Sequence, residues 1–237
     1  MLVAAAVCPC PPLLVPEVAA GATPELDPAR DACVDALGVL AAARPDRLVV
    51  VGPAGQDGEY PAGSRGSFQG FGVDLDVSLG RGAVDAADAR AVLPASLAVA
   101  AWLLDRTDRA DTPVTGLGVG EPLAAERCIQ SGRDIAGSAE RVALLVMGDA
   151  SACRTLKAPG YLDDRAADFD ASVARALAGA DVAALKALDV RLAHELKASG
   201  RAPWQVLAGA AEDADLDGSL LYDDAPYGVG YLVATWS

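Results

Sequence analysis

The stretch Leu2-Val-Ala-Ala-Ala-Val-Cys8-Pro-Cys10-Pro-Pro-Leu-Leu-Val-Pro-Glu17 decides the fold. Its first half, Leu2 to Val7, has the length and apolar content of a short buried strand. Its second half cannot extend that strand: Pro9, Pro11 and Pro12 each lack an N–H and hold φ near −65°. The chain must leave the sheet at Cys8. In an open α/β sheet, ligands bind in the crevice just outside the carboxyl ends of the strands. The sequence therefore predicts Cys8 and Cys10 on a stiff loop at such a crevice.

Outward from this stretch, buried runs alternate with helical stripes. Leu26 to Ala43 carries Ala29, Cys33, Ala36, Leu37 and Leu40 on one face, with Asp27-Pro28 as a helix start. Arg47 to Val51 reads as a strand buried on both faces and ends in a second loop, Gly52-Pro53-Ala54-Gly55. Gln56 to Gly70, rich in Gly, Ser and Pro, reads as a loop or flap. Val73, Leu75, Val77 and Leu79 alternate with polar residues, which predicts a strand with one wet face near a sheet edge. A helix is expected over Ala86 to Leu104, broken or kinked at Pro94. A Gly-interrupted strand follows over Thr112 to Val119, and Glu121-Pro122 opens a helix to about Ile135. Arg141 to Gly148 is a third two-faced strand, with Asp149 to Cys153 as the third crevice loop. A helical region runs to Ser199, Pro203 to Ala211 forms a short helix, and Tyr227 to Thr235 closes the chain as a strand. This alternation predicts one α/β domain over residues 1–237, a mostly parallel central sheet with helices on both faces.

Composition narrows the function classes. The chain has 237 residues, 52% of them hydrophobic, enough for a large single core. Its net charge is −14, and only three of its basic residues are lysines, so it offers no basic patch for a nucleic acid backbone. No run approaches the ~18 apolar residues of a membrane span, and the apolar start is too short, and lacks the basic flank, for a secretion signal. The five cysteines, Cys8, Cys10, Cys33, Cys128 and Cys153, are odd in number and scattered, which fits a reducing, cytoplasmic setting. Cys8, Cys33 and Cys128 read as small apolar core filler. Trp204 and Trp236 read as core or interface aromatics. His194, the one histidine, lies in a stretch that reads as an exposed helical face.

Several segments together resemble one family. Cys10-Pro-Pro-Leu-Leu-Val-Pro-Glu17, Gly52-Pro53-Ala54, Arg65 to Gly72, Gly148-Asp-Ala-Ser-Ala152, Ala158-Pro-Gly-Tyr161, Asp168-Phe-Asp170 and Tyr227-Gly-Val-Gly-Tyr231 follow the order of the subunit-B-type domain of class III extradiol ring-cleavage dioxygenases and its Memo-like relatives. In that family the positions matching Cys10 and Ala54 are histidine ligands of a non-haem ferrous iron, and the position matching Ala152 is a histidine base. The resemblance implies the same fold, pairing as a homodimer or with another subunit, and a pocket for an aromatic small molecule. It also implies that the chemistry is altered. Alanine neither ligates nor accepts a proton, and an iron site of this type needs two histidines and a carboxylate.

The expectation is thus a pocket lined by Cys10, Ala54, Asp149, Ser151, Cys153 and Asp223, with no catalytic residue, no metal ligand and no cofactor. Three functions stay open: a dioxygenase-like domain that retains the pocket for binding, an enzyme of altered chemistry, or a structural subunit paired with another chain. In the second, Cys8, Cys10 or Cys153 with Asp149 or Asp223 would form a zinc or Cu(I) site, or Cys10 or Cys153 would act as a thiolate nucleophile.

Overall fold

The computed structural model describes residues 1–82, 92–107 and 112–237. Nine strands lie among them: β1 (Leu2–Cys8), β2 (Arg47–Ala54), β3 (Gly58–Tyr60), β4 (Arg65–Ser67), β5 (Asp76–Ser78), β6 (Val114–Gly120), β7 (Val142–Met147), β8 (Gly218–Asp224) and β9 (Tyr231–Trp236). The α-helices are α1 (Pro16–Ala19), α2 (Asp27–Ala42), α3 (Ala95–Leu104), α4 (Ala125–Ala136), α5 (Ala166–Ala178), α6 (Val182–Lys186), α7 (Val190–Glu195) and α8 (Arg201–Ala210).

Seven strands form one sheet in the order β3-β6-β2-β7-β1-β9-β8. The four central strands β6, β2, β7 and β1 run parallel, and β3, β9 and β8 close the two sides antiparallel. Both faces are covered. Ala4, Ala6 and Cys8 of β1 point into a core built with α2 and α3, while Ala5 and Val7 point into a core built with α4 to α8. These are two sides of one sheet, a single α/β domain as the alternation predicts. No described helix is long and apolar enough to cross a membrane.

Several expectations need correction. The closing strand begins at Tyr231 rather than Tyr227, and it runs antiparallel to β1. Its neighbour β8 has alternating burial and charged ends, and its sequence does not stand out as a strand; pairing with β9 makes it one. The Val73 to Leu79 alternation yields only β5, which pairs with β4 in a separate two-stranded sheet instead of edging the main one. The Gln56 to Gly70 loop contains β3 and β4. Pro94 caps α3, and Val92 to Pro94 is not helical; residues 86–91 of the expected helix lie outside the described residues. The helix expected from Glu121 starts at Ala125, because Leu123 and the turn before it are held in place by Arg201, whose guanidinium donates to the carbonyls of Glu121 and Leu123. The helical region to Ser199 is three helices, with Asp181 and Asp189 capping the second and third.

One packing detail shapes the surface. Helix α4 rests on α8 and makes only sparse contact with the strands. Glycines at the crossing allow this approach: a Cβ on Gly132 would lie 2.0 Å from the Val206 carbonyl oxygen, and one on Gly209 2.1 Å from that of Ile129. The helix pair draws α4 away from the outer strands β6 and β3.

Candidate functional site

The loops that follow β1, β2 and β7 emerge at one edge of the sheet, because the three strands are parallel and adjacent in the order β2-β7-β1. The β1 loop is fixed to the β7 loop at its first turn. The Gly148 N–H donates to the Cys8 carbonyl at 3.0 Å, and the Cys10 N–H donates to Asp149 Oδ1 at 2.8 Å. The β7 loop is in turn tied to the segment before β9: Ala150 N–H donates to the Gly230 carbonyl, Gly230 N–H to the Ser151 carbonyl, and Arg154 N–H to the Gly228 carbonyl, at 2.8, 2.8 and 3.0 Å. From the far side, Asp149 N–H donates to Ser199 Oγ at 3.1 Å, and Gly200 N–H to the Asp149 carbonyl at 2.9 Å. Glycine is required where these segments meet, since a Cβ on Gly148 would lie 2.4 Å from Gly200 Cα, and one on Gly200 2.2 Å from the Trp204 ring.

The result is a crevice closed by its own backbone. Cys10 retains 7% of its surface, Ala152 8%, Cys153 2% and Ser151 none. Of the six expected pocket residues, Cys10 and Asp149 meet directly. Ala54 ends β2 half-buried, and its methyl lies under Gly118 and Tyr60 of the neighbouring strands. Ser151 and Asp223 do not join the contact of Cys10 with Asp149. Ser151 is fully buried, its N–H and Oγ both donating to the Asp170 carboxylate at 2.8 Å, with the Arg154 guanidinium on the same carboxylate at 3.0 Å. Asp223 lies exposed on the outermost strand β8, paired with Leu232 and separated from β1 by β9. Cys153 is buried with Sγ 3.5 Å from the Leu196 carbonyl.

Asp149 is the group whose chemistry is most altered. Burial pushes its carboxyl up to about 6, and the single bond from the Cys10 N–H offsets only part of that. Some of its surface remains accessible, and Oδ1 is the oxygen that the protein bonds. Burial and the adjacent Asp149 push the Cys10 thiol well above its usual range, and burial likewise raises Cys153. Both are neutral thiols near pH 7, so neither carries the depressed pKa of a nucleophilic cysteine. Tyr231, also buried beside Asp149 and Cys10, is raised for the same reason.

The ferrous iron that the resemblance implies does not fit this donor set. Ala54 and Ala152 have no donor atom, Cys10 is a neutral buried thiol, and Asp149 is one carboxyl against the two imidazoles and carboxylate that such a site needs. The only imidazole, His194, stands on the outer face of α7 with Nδ1 3.1 Å from Glu121 Oε1. Among the described residues no group of three or more His, Cys, Asp or Glu side chains is arranged to hold a metal ion.

What the sequence did not flag is an open cleft of about 500 Å³ at the other side of the sheet. Arg47, Val49, Thr115 and Leu117 form its floor, Glu59 and Tyr60 its outer rim, and Ser131, Asp134 and Ile135 of α4 with Ser138 just beyond it its roof. A small apolar notch of about 40 Å³ lies between α2, α3 and the start of β2.

No family model matches the chain, and no curated protein matches it. Among solved structures, it is similar to the uncharacterized protein JW3007 from Escherichia coli K12, with a TM-score of 0.58 and 15% identity over 99% of both chains. At that identity the likeness extends to the fold over the full length.

Proposed function

We propose that this chain is a subunit-B-like relative of the class III extradiol dioxygenases that has lost the ferrous-iron site and ring cleavage, and that it acts as a binding or partner subunit, as a homodimer or beside another chain. The observation that carries this reading is the convergence of the β1, β2 and β7 loops at one sheet edge with Cys10, Ala54 and Ala152 at the positions that the resemblance gives to histidine. Loss of the base alone removes a factor of roughly 10²–10⁴ from a proton-transfer step. The five cysteines are all unpaired and buried, which supports a cytoplasmic setting. The test is anaerobic reconstitution with Fe(II), followed by oxygen and a panel of catechols. No ring-opened yellow product is expected; turnover that disappears in Cys10→Ala overturns the reading.

Asp149 favours a second reading, an enzyme of altered chemistry in the same crevice. A carboxyl with a pKa of about 6 lies much nearer neutral pH than an ordinary one and suits proton transfer. The thiol and Cys/Asp metal versions of that reading gain no support from the buried, raised cysteines.

A further inference from the structure

We propose that the cleft between α4 and the outer strands is a second ligand site, in which the Arg47 guanidinium, the carboxylates of Glu59 and Asp134 and an apolar lining take a zwitterion: a free amino acid with an apolar side chain. Four observations combine. The first is room: about 500 Å³ falls within the ~300–1,000 Å³ of small-molecule pockets. The room follows from the fold, because the glycine crossing of α4 on α8 lifts the helix off β6 and β3.

The second is an uncommitted cation. Among the described residues Arg47 makes one side-chain hydrogen bond, Nη2 to Thr115 Oγ1 at 3.2 Å, and no ion pair. A guanidinium offers five N–H donors in a planar fork suited to a carboxylate. In a chain of net charge −14, this half-buried guanidinium faces a cleft rather than a carboxylate of its own fold among the described residues.

The third is the sign of the rim. Glu59 stands exposed opposite Leu117 in the β3–β6 ladder, two residues along β6 from Thr115, and among the described residues no side-chain partner holds it. Asp134 lies in the roof and accepts from Gln130. Two acids around one arginine disfavour a phosphate or a dicarboxylate by like-charge repulsion, and they attract an ammonium group carried by the same ligand. The fourth is the apolar lining. Val49, Leu117 and Ile135 are aliphatic and Tyr60 is aromatic, so the middle of the cleft suits a hydrocarbon side chain rather than a sugar. The hydroxyls of Thr115, Ser131 and Ser138 supply the remaining polar contacts.

The experiment is calorimetric titration of the full chain with L-phenylalanine, 3-phenylpropionate and 2-phenylethylamine, each up to about 10 mM, a range that detects binding as weak as millimolar. Phenylalanine should bind most tightly, with phenylpropionate weaker for lack of the ammonium. Arg47→Ala should weaken both carboxylates at least tenfold, whereas Glu59→Gln should weaken phenylalanine and leave phenylpropionate unchanged. Circular dichroism melts of both variants establish that they are folded. Absence of phenylalanine binding, binding that survives Arg47→Ala, or tighter binding of phenylpropionate than of phenylalanine would each overturn the proposal. An arginine with a merely structural role would not distinguish these three probes.

Discussion

The crevice at the ends of β1, β2 and β7 and the cleft beside β6 are built from the same sheet, yet one is filled and the other open. In the crevice, the β1 loop, the β7 loop and the segment before β9 are joined by backbone hydrogen bonds, and paired glycines let Gly148, Gly200 and Trp204 stack without a gap. In the cleft, another pair of glycines has the opposite effect, because it brings α4 to α8 and leaves an open space beside β6. Close packing in one layer thus opens space in the next. The glycines and prolines at the crevice are loop-building residues, and they close it with backbone rather than leave a hollow.

This contrast can be broken most severely at Asp170. Its carboxylate is 98% buried and neutralises three donors of the β7 loop, Ser151 N–H, Ser151 Oγ and Arg154 Nη1. Asp170→Ala leaves those donors without an acceptor and should cost about 3–5 kcal/mol in denaturant unfolding. A loss under about 1 kcal/mol would mean that the crevice is held by its backbone bonds alone. Next in size is Gly209→Ala. The added methyl meets the Ile129 backbone, which cannot rotate away, so α4 must move; a cost of about 1–3 kcal/mol is expected by chemical denaturation.

Asp149 provides a pH-dependent test of the crevice. Its folded pKa of about 6 stands above the ordinary carboxylate value of 3.8. The protonated form is therefore favoured in the folded state, and its contribution is fully present below about pH 4 and is lost as pH rises through about 6. Asp149→Asn keeps an oxygen to accept from the Cys10 N–H and removes the buried charge. The variant should match the parent at pH 3.5 and exceed it by about 1–3 kcal/mol at pH 8, flattening the stability profile between the two. Equal pH profiles for the two proteins would show that the Asp149 carboxyl is effectively solvated.

Much of this fold was legible in the chain, and the limits have physical causes. The central strands declared themselves because both faces are buried, so Leu2–Val7, Arg47–Val51 and Arg141–Met147 are continuous apolar runs. Strand β8 did not, since its side chains alternate between half-buried and exposed and only its partner β9 makes it a strand. Loop positions could be read from the prolines and glycines that end each strand. Whether those loops leave a hollow could not, because Ser151 looks like a pocket hydroxyl in sequence, and only the 19-residue return of the chain to Asp170 buries it. Asp223 misled for a related reason: its place depends on the outer-strand pairing that the sequence conceals. The open cleft left no motif at all, being the product of two glycines 77 residues apart, Gly132 and Gly209.

The smallest expected effect bears most directly on the cleft. Arg47 is half-buried, and among the described residues its side chain bonds only Thr115 and neutralises no carboxylate, so the folded state gains little from its charge. What it loses on truncation is one hydrogen bond to a hydroxyl that can turn to solvent and the packing of its aliphatic stem. Arg47→Ala should therefore shift unfolding free energy by no more than about 0.5 kcal/mol, the range of surface positions without special features. The corresponding change in the crevice, Asp170→Ala, removes a charge that the fold depends on. If Arg47→Ala instead destabilises the chain by about 2 kcal/mol or more, the arginine is a structural clamp between β2 and β6, and its freedom in the cleft is not what sets it apart.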